Sequence, residues 1–290
     1  MLIYVKLLLT AFFWGGTFIA GRQVAETVGP FSAAFLRFAV ASLFLLAYTW
    51  KVEGKIPIIS RSQIIPALLL GMTGVFAYNV FFFKGLRLIE AGRAAVIIAN
   101  NPVFIAIFSA LFFKEKLNWI RSTGILISVT GAVVVISRGQ LQNLWAGGFG
   151  WGELLIFGAV LSWVSFSLIG KKILADLSPL VSVFYASTIG AAALFPPAVI
   201  EGMFTDVNYY TAFDWISIVY LGFFGTVLGF VWYYQRIKMI GPTRAGLFIN
   251  FVPVSAIILA FFILDEPITV SLFAGTILVV TGVYLTNKHS

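Results

Sequence analysis

Residues 93–124 read RAAVIIANNPVFIAIFSALFFKEKLNWIRSTG, and residues 244–275 read RAGLFINFVPVSAIILAFFILDEPITVSLFAG. Arg93, Pro102, Glu115 and Gly124 return 151 positions later as Arg244, Pro253, Glu266 and Gly275. The same shift takes Gly71, Gly74 and Gly131 to Gly222, Gly225 and Gly282. A shift of 149 pairs Trp14 with Trp163, Gly21 with Gly170 and Pro30 with Pro179. Matches of Leu or Ala between apolar segments would carry little weight. Ordered matches of Trp, Pro, Arg, Glu and Gly mark an internal duplication, with one repeat over residues 1–138 and a second over residues 150–288.

Each copy is built mostly of apolar residues. Of 290 residues, 60% are hydrophobic and 10% charged, and the mean hydropathy is +1.01. A soluble domain carries about 25% charged residues. Apolar runs approaching the roughly 20 residues needed to cross hydrocarbon recur at 5–21, 31–50, 63–83, 92–113, 119–137, 152–170, 179–200, 213–234, 244–264 and 269–286. They are continuous rather than alternating, so they predict helices, whose backbone groups are satisfied within the segment. The first follows a short basic start, as a signal peptide would, but its partner in the second repeat argues that it stays. The expectation is an all-α integral membrane protein with ten transmembrane helices. Five per repeat is odd, so equivalent loops fall on opposite sides of the membrane. Two inverted-topology repeats around a central cavity are an architecture of secondary transporters.

Basic residues orient the chain. With both termini cytoplasmic, the inner segments hold Lys6, then Lys51, Lys55 and Arg61, then Lys114, Lys116 and Arg121, then Lys171 and Lys172, then Arg236, Lys238 and Arg244, and finally Lys288. The outer segments hold only Arg22, Lys84, Arg87, Arg93 and Arg138, as the positive-inside rule requires. The outer group Lys84, Arg87 and Arg93 breaks the pattern, and is the repeat counterpart of Arg236, Lys238 and Arg244. Loop charge therefore explains the net charge of +8 without nucleic acid. The predicted partners are a small-molecule substrate and membrane lipid. The chain has no Cys, one His at position 289 and no P-loop pattern, so no cofactor or metal is expected. Asp and Glu fall at helix ends rather than mid-span, which predicts no buried carboxylate relay.

Polar groups and helix breaks inside a span are costly and therefore informative. Pro102 and Pro253 fall near the middle of the fourth and ninth spans, each predicted to free a carbonyl about one turn earlier, near Ile98 and Ile249. Asn100, Asn101 and Asn250 lie beside them, either to satisfy those carbonyls or to face a substrate. Asn100 and Asn101 differ by about 100° around a helix, so at most one points squarely inward. Trp14, Tyr78 and Trp163 lie too deep for interfacial belts, whereas Trp232 and Tyr234 suit one. Arg37 is the cation well inside a span. It can snorkel to outer headgroups, bond to exposed carbonyls, or attract an anionic substrate group. Gly71, Gly74 and Tyr78, like Gly222, Gly225 and Gly229, follow helical spacing, which suits either close helix contact or room beside a pore.

These residues resemble the drug/metabolite transporter superfamily, specifically its ten-helix EamA-type members. The likeness lies in Trp14-Gly15-Gly16-Thr17-Phe18, in Phe35-Leu36-Arg37-Phe38, and in the doubled pattern of Pro102, Glu115 and Gly124 with Pro253, Glu266 and Gly275. The resemblance implies an exporter of amino acids, related metabolites or drugs in a bacterial inner membrane. It also implies a cavity lined by spans one, three, four, six, eight and nine, which singles out Trp14, Tyr78, Asn101, Trp163, Tyr233 and Asn250. Arg37 aligns with Ala186, so any role for it is unpaired. The leading expectation is a carrier of small amphiphilic metabolites, amino acids first, working by alternating access. The alternatives are export of multiple drugs or lipid-linked substrates and, from other classes, a lipid enzyme or a channel.

Overall fold

A computed structural model describes residues 2–114, 117–140, 142, 150–173, 178–233 and 247–287. Glu115, Arg236, Lys238, Arg244 and Tyr234, all singled out in the sequence, lie outside the described residues. Among the described residues every regular element is helical. They are α1 (Leu2–Thr27), α2 (Pro30–Glu53), α3 (Arg61–Leu70), α4 (Tyr78–Leu86), α5 (Ala91–Ile98), α6 (Asn101–Phe113), α7 (Trp119–Ile136), α8 (Trp151–Ile173), α9 (Pro179–Glu201), α10 (Met203–Asp206), α11 (Ala212–Tyr220), α12 (Phe251–Leu264) and α13 (Val270–Asn287).

Among the described residues eight helices are long and apolar enough to cross a membrane, counting α3 with α4 (Arg61–Leu86), α5 with α6 (Ala91–Phe112) and α11 with the stretch that follows it (Ala212–Tyr233) as one each. α1, at 26 residues, is about 39 Å long by helical rise and occupies the first expected span. The ninth expected span is represented by the shorter Phe248–Leu264.

Two features interrupt regular α geometry. Gly71–Ala77, between α3 and α4, and Leu221–Leu228, after α11, wind as π-helix. They fall at matching places in the two repeats. The fourth span is broken at Ala99 and Asn100 between α5 and α6, and the 3-10 turn Leu247–Asn250 leads into α12. Here the prolines correct a sequence expectation. Pro102 sits in the first turn of α6 and Pro253 at the third residue of α12, where a missing N–H costs no helical bond. The chain departs from α geometry just before each proline, which then starts the next helix.

Glycines set the packing between repeats, and the contacts recur. A Cβ on Gly71 would lie 3.1 Å from the Ala186 carbonyl, and one on Gly222 would lie 2.8 Å from that of Arg37. A Cβ on Gly74 would strike Phe166 at 2.3 Å, and one on Gly225 would strike Thr17 at 2.6 Å. In each pair the second contact is the first with 151 added to one residue and 149 subtracted from the other. α7 and α13 cross in the same way, with Gly124 against Gly282 and Gly131 against Gly275, each pair at backbone contact. The spaced glycines are therefore sites of close helix approach.

Candidate functional site

Four of the expected site residues meet. Trp14 of α1 lies 5.3 Å from Tyr233 and 5.6 Å from Phe230, ring centre to ring centre. Phe230 lies 5.8 Å from Trp163 of α8, and Trp163 lies 5.4 Å from Tyr78 of α4. The rings form one chain running between the repeats, in the tilted and edge-on geometries that aromatic quadrupoles favour. Phe230, which links the two tryptophans, carried no signal in a sequence with 30 Phe. Phe166, 5.3 Å from Trp163, was equally silent.

The two tryptophans hold matched positions with different neighbours. Tyr78 touches Trp163. The matching residue under Trp14 is Gly229, whose absent Cβ would stand 2.4 Å from the indole nitrogen. That nitrogen donates instead to the Gly225 carbonyl at 2.9 Å, and Thr17 Oγ1 donates to the Trp14 carbonyl at 2.6 Å. Trp14 is thus fixed by hydrogen bonds.

Arg37 is 6% exposed, which rules out snorkelling. Its Nη1 donates to Asn79 Oδ1 at 3.0 Å and its Nε to Thr226 Oγ1 at 3.3 Å. Asn79 follows Tyr78 in α4, and Thr226 lies within the second π segment, so the guanidinium is held between the repeats. Thr226 was not singled out in the sequence, because a threonine in a span ordinarily bonds back to its own helix, as this one also does to Leu221.

Asn101 and Asn250 are not shown in this cluster. Asn250 closes the 3-10 turn before α12, and Asn101 opens α6. The two neighbouring amides on the fourth span have divided their work. Asn100 donates to the Val96 carbonyl at 3.0 Å and accepts from Ser128 at 2.7 Å, the structural one of the two uses left open for it. Asn101 Oδ1 is buried and accepts no hydrogen bond among the described residues.

Polar contacts at helix ends also tie the repeats together. Arg93 of α5 pairs with Glu153 of α8 at 2.9 Å, with side chains 7% and 4% exposed, and Arg93 also donates to the Ile136 carbonyl. Glu266 accepts from the N–H groups of Ala91 and Gly92 at 2.7 and 3.0 Å, satisfying the open start of α5. Asp265 adopts a left-handed φ of 54° after α12 and precedes Glu266 in that turn. Glu201, at the end of α9, accepts from the Phe31 and Ser32 N–H groups at the start of α2. Burial pushes the Glu266 carboxyl above its usual range, while the Gly92 and Ala91 N–H bonds pull it back.

A groove of about 340 Å³ lies apart from the aromatic chain, lined by Phe44, Tyr48, Lys51, Phe223, Val227, Val231 and Trp232, among others. Lys6 Nζ sits 5.4 Å above the Trp232 ring.

The sequence profile of the EamA-like transporter family matches residues 1–137 and again residues 150–288. An uncharacterized transporter of Bacillus subtilis, YyaM, is 30% identical over 97% of this chain and 92% of its own length. An uncharacterized transporter of Archaeoglobus fulgidus is 30% identical over 97% of both chains. A probable terminal-alkyne amino-acid exporter of Streptantibioticus cattleyicolor is 29% identical over 98% of this chain and 93% of its own. A crystal structure aligns with a TM-score of 0.65 at 21% identity, over 98% of this chain and 94% of that one, a likeness of fold.

Proposed function

The chain belongs to the EamA-like transporter family, and from that premise we propose that it is a secondary carrier exporting small amphiphilic metabolites, amino acids first among them. We place it in a bacterial inner membrane as ten helices with both termini cytoplasmic. α1 and the span ending in α12 supply the two crossings beyond the eight long apolar helices. Residues 1–138 and 150–288 are its two inverted repeats. The recurring glycine contacts support that arrangement, since exchanging the repeats carries one set of contacts onto the other.

The observation that carries the reading is the chain of rings from Trp14 through Phe230 and Trp163 to Tyr78, contributed by both repeats. Such a wall suits a substrate with an apolar body and few polar groups. The rings touch one another, so binding parts them, and rocking one repeat against the other exposes the site to each side in turn. We assign Trp14, Tyr78, Trp163, Tyr233 and Arg37 to the substrate path. Asn101 and Asn250 lie at the broken helices, where Asn101 keeps an unspent acceptor. The amino-acid exporter among the relatives supports that cargo. Radiolabelled amino acids taken up saturably by proteoliposomes, with a raised KM in Trp163→Ala, are the expected result. No saturable flux of any amino acid would count against that cargo, and unchanged kinetics in the variant would remove Trp163 from the path.

The apolar groove beside α2, with Lys51 among its lining residues, favours a second reading, export of multiple drugs or lipid-linked substrates. Competition by hydrophobic cations rather than amino acids would select it.

A further inference from the structure

Three arginines of the first repeat, Arg22, Arg37 and Arg93, offer an internal comparison. Arg93 is buried, and it has Glu153. Arg22 is partly exposed, and it has Glu26 at 3.6 Å together with the Leu86 and Ile89 carbonyls. Arg37 is buried as deeply as Arg93, yet among the described residues it pairs with no carboxylate. Its two hydrogen-bond partners are the neutral oxygens of Asn79 and Thr226. A guanidinium has five N–H donors and does not lose its charge in proteins. Two donors are spent here, which leaves three on a cation 6% exposed.

A buried charge is ordinarily paired. An ion pair within the protein would have met that need, and the fold shows it can build one in Arg93 and Glu153. The charge, 5.2 Å above the Phe38 ring and without a carboxylate among the described residues, is therefore useful when an anion arrives from outside the chain. Asn79 and Thr226 each hold one edge of the guanidinium, one from each repeat, so the group is oriented before any ligand binds. A planar fork with free donors matches a carboxylate in two-point contact better than any other common metabolite group except phosphate.

We propose that Arg37 is the receptor for the carboxylate of the transported substrate, so that the cargo is a monocarboxylate with an apolar body and not a lipophilic amine. This rests on the carrier reading above and narrows its substrate class.

The test uses compounds that keep one body and vary the acid. They are L-phenylalanine, phenylalaninamide and phenethylamine, with L-leucine, leucinamide and isopentylamine as a second series. Each is assayed as substrate and competitor in proteoliposomes holding wild-type, Arg37→Lys or Arg37→Gln protein. The expected result is that wild-type prefers an acid over its amide by on the order of 100-fold, the range for a buried charge pair. Arg37→Gln should erase that preference by weakening the acid alone, and Arg37→Lys should restore part of it. A melting assay in detergent without substrate covers the chance that a variant misfolds. Arg37→Met, which removes the buried charge but leaves the buried Asn79 Oδ1 without its donor, should still melt cooperatively without substrate and should lose the stabilisation that the acid gives wild-type. Equal handling of acid and amide by wild-type, or an equal loss of both in Arg37→Gln, overturns the proposal. Saturable flux of the amines in place of the acids overturns it while leaving the carrier intact. No saturable flux of acid, amide or amine would instead bring down the carrier reading, and the assignment of Arg37 with it.

Discussion

Replacing Glu153 with Gln would keep its shape and remove its charge. The side chains of Glu153 and Arg93 are 4% and 7% exposed and 2.9 Å apart, so the variant strands a guanidinium in a dry site without its carboxylate. Breaking a buried pair in this way costs about 3–5 kcal/mol. Arg93 keeps its bond to the Ile136 carbonyl, which places the loss near the lower figure. The pair joins α5 of the first repeat to α8 of the second, so an opening that separated them would put Arg93 in water and escape the cost. A penalty of about 3 kcal/mol borne by the closed form alone shifts its balance with the open form by roughly 150-fold. Because the chain contains no cysteine, a single Thr17→Cys reporter beside Trp14 has no background, and an impermeant thiol reagent added outside reads the opening directly. Glu153→Gln should lower the melting temperature and speed labelling. The double variant Arg93→Met, Glu153→Leu should lose only about 1–2 kcal/mol, for the Ile136 carbonyl and Gly150 N–H left without partners. A loss below about 1 kcal/mol in the single variant, or a double variant no better than the single, would refute the idea that the Arg93–Glu153 pair holds the closed form.

Other outcomes follow from the packing. Gly282→Ala puts a Cβ 2.4 Å from the Ser128 nitrogen and 2.5 Å from the Gly124 carbonyl. Backbone cannot turn aside, so α7 and α13 must part, at about 1–3 kcal/mol. Gly92→Ala, whose Cβ would find its nearest neighbour at 3.4 Å, should change the melting free energy by no more than about 0.5 kcal/mol, and equal losses in the two variants would defeat the packing argument. Gly229→Ala should expel the Trp14 indole from its bond to Gly225, seen as a shift in tryptophan emission and a raised substrate KM, and an unmoved spectrum would speak against it. Glu266 titrates above its unfolded value because burial disfavours its charge, so the native state holds more protons than the unfolded state through that range. Stability should then fall as pH rises through it, and the wild-type advantage over Glu266→Gln should shrink with rising pH; an advantage that grows would contradict the burial argument.

Trp14, Tyr78 and Trp163 could be read from the sequence because a polar-tipped ring deep in a span is expensive and so demands a reason. Arg37 was equally visible, but its partners were not, because Asn79 and Thr226 reach it from different repeats across a tertiary contact. The prolines were noticed for the right reason, and Pro102 does fall mid-span, but there it begins a helix where an interruption was expected. A proline can interrupt a helix or begin one, and its neighbours in sequence do not say which. Phe230 was lost among many phenylalanines that face lipid. The glycine pairs left close contact and open space undecided until their opposing backbones were known. The π segments have no residue signature at all, since they record how a helix accommodates its neighbours rather than what it is made of.

Those two segments, Gly71–Ala77 and Leu221–Leu228, amount to dislocations in an otherwise regular lattice. A π turn holds a surplus residue, and the surplus can glide along the helix by passing hydrogen bonds from one carbonyl to the next. Each step turns the residue it passes by about 100° and shifts it by about 1.5 Å, while the two ends of the rod keep their register. A crystal yields in this manner, by moving a defect and not by breaking a plane. With one such defect in each repeat, directly before Tyr78 and around Thr226, the third helix of either half is able to turn at the height of the rings while its ends stay anchored.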